Sequence, residues 1–184
     1  GGNSAATYNQ DFVELFNNST ATIDISGWSV QYGSATGPGG TGDWSVAAIP
    51  AATTVAAGKY YLVALATAAT GIALPTPDLT VLTINMAGAA GKVALVNDAV
   101  ALNGSTACGG ITVKDVIGYG TTASCGETEP FDPAGIDNTT AVFRKNNGCT
   151  DQNINRTDFE VLAVNPRNSA AAANICGAAS PAIS

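Results

Sequence analysis

The sequence predicts an all-β chain folded as an antiparallel β-sandwich with long loops and two disulfides. Three observations carry that prediction. Apolar residues recur with a period of two in several short runs. Clusters of Gly, Asn, Asp and Ser separate those runs at frequent intervals. Few residues are charged (11%), and Ala, Val, Thr and Gly stand where a helical chain would carry Leu, Glu and Lys. At 184 residues the chain is long enough to bury a core, hiding roughly 70% of its unfolded surface. The expected organisation is one sandwich domain over residues 1–177 and a C-terminal tail over 178–184.

From Phe12 to Phe16 the side chains alternate, Val13 and Leu15 on one side, Phe12, Glu14 and Phe16 on the other, which predicts a first strand. Asn17-Asn18-Ser19-Thr20 predicts a turn, because short polar side chains bond the nearby backbone. Ile23 and Ile25 then alternate with Thr22, Asp24 and Ser26, a returning strand. Gly27 permits a bend before Trp28, Val30 and Tyr32, and the bend is expected to carry the Trp28 indole into the core with its N–H bonded. Residues 33–42 (GSATGPGGTG) form a glycine-rich loop. A phosphate cradle there would call for a following helix and a lysine, whereas Asp43-Trp44-Ser45-Val46 has strand character.

Residues 53–65 (TTVAAGKYYLVAL) turn a corner at Ala57-Gly58 and then place Tyr60, Leu62 and Ala64 opposite Tyr61, Val63 and Leu65. Apolar residues on both faces predict a central strand. Pro75 and Pro77 mark a loop before a strand over 79–84, and 84–90 is the one stretch suited to a helical turn. Residues 91–102 (GKVALVNDAVAL) predict a hairpin: strand 93–96, turn at Asn97-Asp98, strand 99–102. Further strands are expected over 111–119, 141–145 and 159–164.

Fourteen acids against seven bases give a net charge of −7. The cations Lys59, Lys92, Lys114, Arg144, Lys145, Arg156 and Arg167 are scattered, so nucleic acid is not the expected partner, since phosphate binding needs clustered Lys or Arg. No apolar run reaches the roughly 18–20 residues that span a bilayer, so membrane insertion is not expected.

The cysteines, Cys108, Cys125, Cys149 and Cys176, contain no C-x-x-C pair, and the chain has no histidine. Zinc and thioredoxin-type sites are therefore poorly supported. An even count in a Thr- and Ala-rich chain reads as two disulfides formed in an oxidising compartment. Three pairings are open, and neighbours, 108–125 and 149–176, are favoured because each closes a loop without strong strand signals. Each bridge contributes roughly 3 kcal/mol through the unfolded state in the chain-entropy account.

Catalysis is not expected. A serine nucleophile would lack a histidine base, and no G-x-S-x-G is present. Glu127-Thr128-Glu129-Pro130-Phe131-Asp132 offers paired carboxylates, but two Trp and no carbohydrate motif give them no sugar cleft. The sharper reading is calcium. Asp151, Asn153 and Asn155 follow the i, i+2, i+4 spacing of oxygen ligands, with Asp158 next. Arg156 and Leu162 stand where an EF-hand carries glycine and glutamate, so no EF-hand is formed. Glu127, Glu129, Asp132 and Asp137 make a second acidic loop. The plainer reading of both loops is capping and turning of the backbone.

DFVELFNNST with DISGWSVQY, then TTVAAGKYYLVAL, then GKVALVN, resemble successive strands of the lamin-tail domain, nearest its bacterial secreted branch. The DVIGYG run at Asp115–Gly120 and DQNINRTDF at Asp151–Phe159, followed by Asn165-Pro166-Arg167-Asn168-Ser169, extend the resemblance over most of residues 8–170. It implies an immunoglobulin-like sandwich, a secreted or extracellular location and no enzyme activity or cofactor of the domain's own. The function it implies is a non-catalytic module that binds or anchors at the cell surface, its partner a protein or surface component. Two alternatives accompany it: a subunit that self-associates into a filament or surface layer by strand complementation, and an accessory domain of a secreted hydrolase. The family carries a strand before the segment matching Gly1-Gly2-Asn3. The expectation is therefore a mature or trimmed chain, or a sheet edge left open to accept a strand.

Overall fold

A computed structural model describes residues 5–37, 44–104 and 107–177. The strand patterns are realised as eleven strands among these residues, arranged in four sheets. The first sheet joins β1 (Gln10–Phe16), β6 (Tyr60–Thr67) and β7 (Leu79–Thr80) in the order β1-β6-β7. The second joins β3 (Ser29–Ser34), β4 (Ser45–Ala48), β8 (Gly91–Val96) and β9 (Val113–Tyr119) in the order β4-β3-β8-β9. Two ribbons complete the set, β2 (Ile23–Asp24) with β5 (Thr54–Val55) and β10 (Thr140–Arg144) with β11 (Phe159–Ala163). All pairs are antiparallel except β6–β7. The glycine-rich loop falls partly, and the two chain ends fall wholly or mostly, outside the described residues.

The core forms where the two larger sheets face each other. Tyr61, Val63 and Leu65 of β6 meet Val30 of β3 and Ala47 of β4, with Ile25, Ile49, Val55 and Ile84 closing the cluster. Their partners across the ladder, Val13 and Leu15 of β1, point the same way, as the period of two requires. The other face of β6 is covered by the segment after β11. Arg167 lies over the Tyr60 ring at 4.1 Å, Ser169 donates its hydroxyl to Asp78, and Asn174 N donates to Gly58 O. Cys149–Cys176 ties that segment down, and Cys108–Cys125 ties the loop before β9 to the chain after it, the pairing of neighbours.

A smaller core lies on the opposite face of the second sheet, where Trp44 packs with Ala94, Val96 and Val116. Trp44 is the buried indole, donating its ring N–H to Gly104 O at 3.0 Å, while Trp28 is half-buried against the main core. Gly33 makes room for it: a Cβ there would sit 2.8 Å from the Trp44 ring.

Three local expectations are corrected. The 91–102 hairpin does not form, because β8 pairs with β3 and β9 instead. Buried polar side chains of β3 hold the 98–102 backbone as a loop. Ser29 Oγ donates to Asp98 O and Gln31 Nε2 to Val100 O, while Gln31 Oε1 accepts from Leu102 N. The expected strand over 79–84 shortens to the two residues of β7. Residues 84–90 are not helical. The helical turns come instead as a 3-10 turn over Asn146–Gly148 and the short α1 (Asn155–Asp158).

Candidate functional site

β1 lies at one edge of its sheet, β9 at one edge of the other, and the β10–β11 ribbon stands apart from both. Between them opens a groove of about 500 Å³. Val13 and Leu15 of β1, Val93 and Leu95 of β8, Ile117 of β9 and Val142 of β10 line it. Every one of these six is only half-buried. Inward-facing apolar side chains left half-buried mark a core that the described residues do not fill. A volume of this size lies within the range of ligand sites.

Charged groups stand at two places along the groove. At one, Arg167 N and both its Nε and Nη2 donate to the Glu14 carboxylate, and its Nη1 donates to Tyr60. At the other, Arg144 of β10 gathers four carboxylates. Its Nη2 lies 2.6 Å from Asp115 and 3.5 Å from Glu127. Its Nη1 lies 3.2 Å from Asp151 and 3.4 Å from Asp158. The guanidinium also stacks over the Phe159 ring at 4.6 Å. The Asp158 side chain has no exposed surface. Burial pushes its pKa up, but the amides of Gln152 and Ile154 and the Arg144 charge together hold it below the usual carboxylate range.

Four carboxylates against one guanidinium leave three formal negative charges uncompensated, and Glu127 carries the consequence. Burial, and then repulsion from Asp115, push its carboxyl up to about 7. Its folded pKa lies above the unfolded value, so its stabilising contribution is complete below about 4.5 and is lost as pH rises through about 7. Glu127→Gln keeps an acceptor for Asn155 and removes the charge. Its melting temperature is expected to exceed that of the parent at pH 8 and to match it at pH 4.5, the gap at pH 8 corresponding to about 1–2 kcal/mol after allowance for solvent screening. Thermal melts across that range read the difference.

The structure divides the proposed calcium ligands. Asp151 and Asp158 do converge, but on Arg144, and Glu127 joins them: carboxylate oxygens of these three lie within 4.8 Å of one another. The Asn155 side chain is spent elsewhere. Its Oδ1 accepts from Gly118 N and Glu127 N, and its Nδ2 donates to Val116 O and Glu127 Oε2. Asn153, with φ 57°, gives its carbonyl to the Thr128 hydroxyl, and that bond fastens Thr128, itself at φ 60°, beside Glu127. The second acidic loop disperses. Glu129 pairs with Arg156 at 2.9 Å, and Asp137 caps its own turn through Thr139 and Thr140. A calcium ion would have to displace a guanidinium that already holds Asp151 and Asp158. Titration to millimolar calcium is therefore expected to leave the melting temperature unchanged, and a rise would favour the Asp151, Asn153, Asn155 and Asp158 set.

Sequence reasoning missed Arg144, which reads as one of several scattered cations. Only folding brings Asp115, Glu127, Asp151 and Asp158 to it. The alternation in β10 that turns Val142 and Arg144 to one side was the available signal.

The Lamin Tail Domain family model matches residues 1–121. No curated protein and no solved structure matches the chain. The matched span holds β1 to β9, and therefore three of the groove's walls. β10, β11, Arg144 and the Cys149–Cys176 bridge lie beyond it.

Proposed function

The chain belongs to the Lamin Tail Domain family, whose members are non-catalytic structural or adhesive modules, and from that premise we propose a module that works outside the cell, anchoring or positioning a partner at the cell surface. The partner is a protein or another surface component, held in the groove between β1, β9 and β10. One observation carries the reading: six inward-facing apolar side chains are left half-buried around an open volume. Two disulfides support the extracellular setting. No helix among the described residues is long and apolar enough to cross a membrane, and peripheral attachment through a partner needs none.

Fluorescently labelled protein, incubated with cells of the organism that makes it, is expected to be retained saturably at the surface. Ile117→Lys, which places a charge in the groove, should reduce retention at least tenfold. Leu162→Ser, at an exposed position of β11, should leave it unchanged. Absence of retention, or equal retention of Ile117→Lys, would defeat the proposal.

A further inference from the structure

We propose that the groove is an acceptor slot for one β-strand of a different polypeptide, an extended uncharged segment with apolar side chains at every second position. The inference rests on the groove being the binding surface and specifies what it takes.

Two open strand edges flank the slot. Among the described residues β1 pairs with β6 alone and β10 with β11 alone. Asn17 N donates to Lys59 O, so the period of the ladder directs the backbone groups of Val13 and Leu15 toward β6. Those of Phe12, Glu14 and Phe16 point to the other side. Likewise Lys145 N donates to Asp158 O and Val164 N to Thr139 O, which directs Ala141 and Phe143 toward β11 and Thr140, Val142 and Arg144 away from it. All six outward residues line the groove. A strand laid between these edges would pair with both and join β7-β6-β1 to β10-β11 as one continuous sheet. Its inward side chains would come down on Val93, Leu95 and Ile117. The edge of β9, by contrast, is already closed, by Asn155 on Val116 and Gly118 and by the Phe131 backbone on Gly118 and Gly120.

The chemistry of the occupant follows from charge. Glu14 is engaged by Arg167, and Asp115 and Asp151 by Arg144. The stretch between presents outward backbone groups and alkyl side chains, over which a buried charge would be costly, and the excess of carboxylates at Arg144 repels an acidic strand most of all. Every strand among the described residues is already paired, so a second copy of them would have to give up a strand of its own to act as donor.

The test is amide hydrogen exchange of the whole chain with millimolar N-acetylated, C-amidated peptide Ser-Val-Thr-Val-Thr-Val-Ser. Exchange at Phe12, Glu14, Phe16 and Val142 is expected to slow at least tenfold. The same peptide with glutamate in place of valine should give no slowing. Val142→Pro removes an N–H that faces the slot, leaves the β10–β11 ladder its bonds through Ala141 and Phe143, and should abolish the slowing at Phe12 and Glu14. Unchanged exchange with the apolar peptide, or equal protection by the charged one, would overturn the inference. So would a chain that self-associates in solution with these amides already protected. Surface retention without strand protection would sink this inference and leave the binding module standing.

Discussion

Arg144→Met is expected to lower the free energy of unfolding by about 3–5 kcal/mol at pH 8, the usual consequence of removing one partner from a buried ionic cluster. The guanidinium is the one cation within reach of Asp115, Glu127, Asp151 and Asp158 in the described contacts, and its side chain is 12% exposed. Methionine fills similar volume and keeps a contact with the Phe159 ring. The loss would therefore report charge rather than packing. Without their cation, the Asp115 and Glu127 carboxyls, which burial already pushes up, would titrate higher still. Stability of the variant should then rise as pH falls from 8 to 5, because acids with raised folded pKa stabilise most when protonated. Urea unfolding at both pH values reads this directly. Adding Glu127→Gln to Arg144→Met should recover part of the loss at pH 8, since one repelling charge is gone. A deficit below about 1 kcal/mol, without pH dependence, would mean that the cluster behaves as an exposed set of ion pairs.

Strand existence was legible in the sequence; strand partnership was not. β1, β6 and β10 fall where alternation places them, because a period of two is a local property that burial of one face enforces. The 91–102 run has the same local signal as a hairpin, yet Gln31 and Ser29, far away in sequence, claim its second half. Hydrogen bonds at that separation leave no mark in a short window. Trp28 and Trp44 illustrate the same limit: both sit in strand-like contexts, and only the Gly33 clearance and the Gly104 carbonyl decide which indole is buried. The calcium spacing at Asp151 was real as spacing. What spacing could not show is that Arg144 also reaches Asp151 and Asp158 and that Asn155 turns to β9. The disulfides were legible because each bridge closes a loop between neighbouring cysteines, where contact in space follows from closeness in sequence.

Asn155→Leu is expected to destabilise the fold by about 4 kcal/mol, since two deeply buried backbone groups would lose their partner at about 1–3 kcal/mol each and Glu127 N would lose one nearer the surface. The Asn155 side chain behaves as a short piece of strand. Its Oδ1 accepts from Gly118 N at 3.0 Å and its Nδ2 donates to Val116 O at 2.9 Å, the two groups that β9 turns outward there. Leucine is similar in size but can satisfy neither. The crowding at Gly126, where a Cβ would meet Asn155 Oδ1 at 2.4 Å, leaves little room for the backbone to rearrange. Exchange of the Gly118 amide should accelerate beyond what the fall in global stability accounts for, and β9 should become a third open edge. Asn155→Asp separates the two halves of the effect. It keeps an acceptor for Gly118, loses the donor to Val116, and sets a second charge beside Glu127, so its deficit should grow from pH 5 to pH 8. If Asn155→Leu instead melts with the parent, β9 does not depend on that side chain, and the distinction between one closed edge and two open ones, on which the acceptor slot depends, loses its basis.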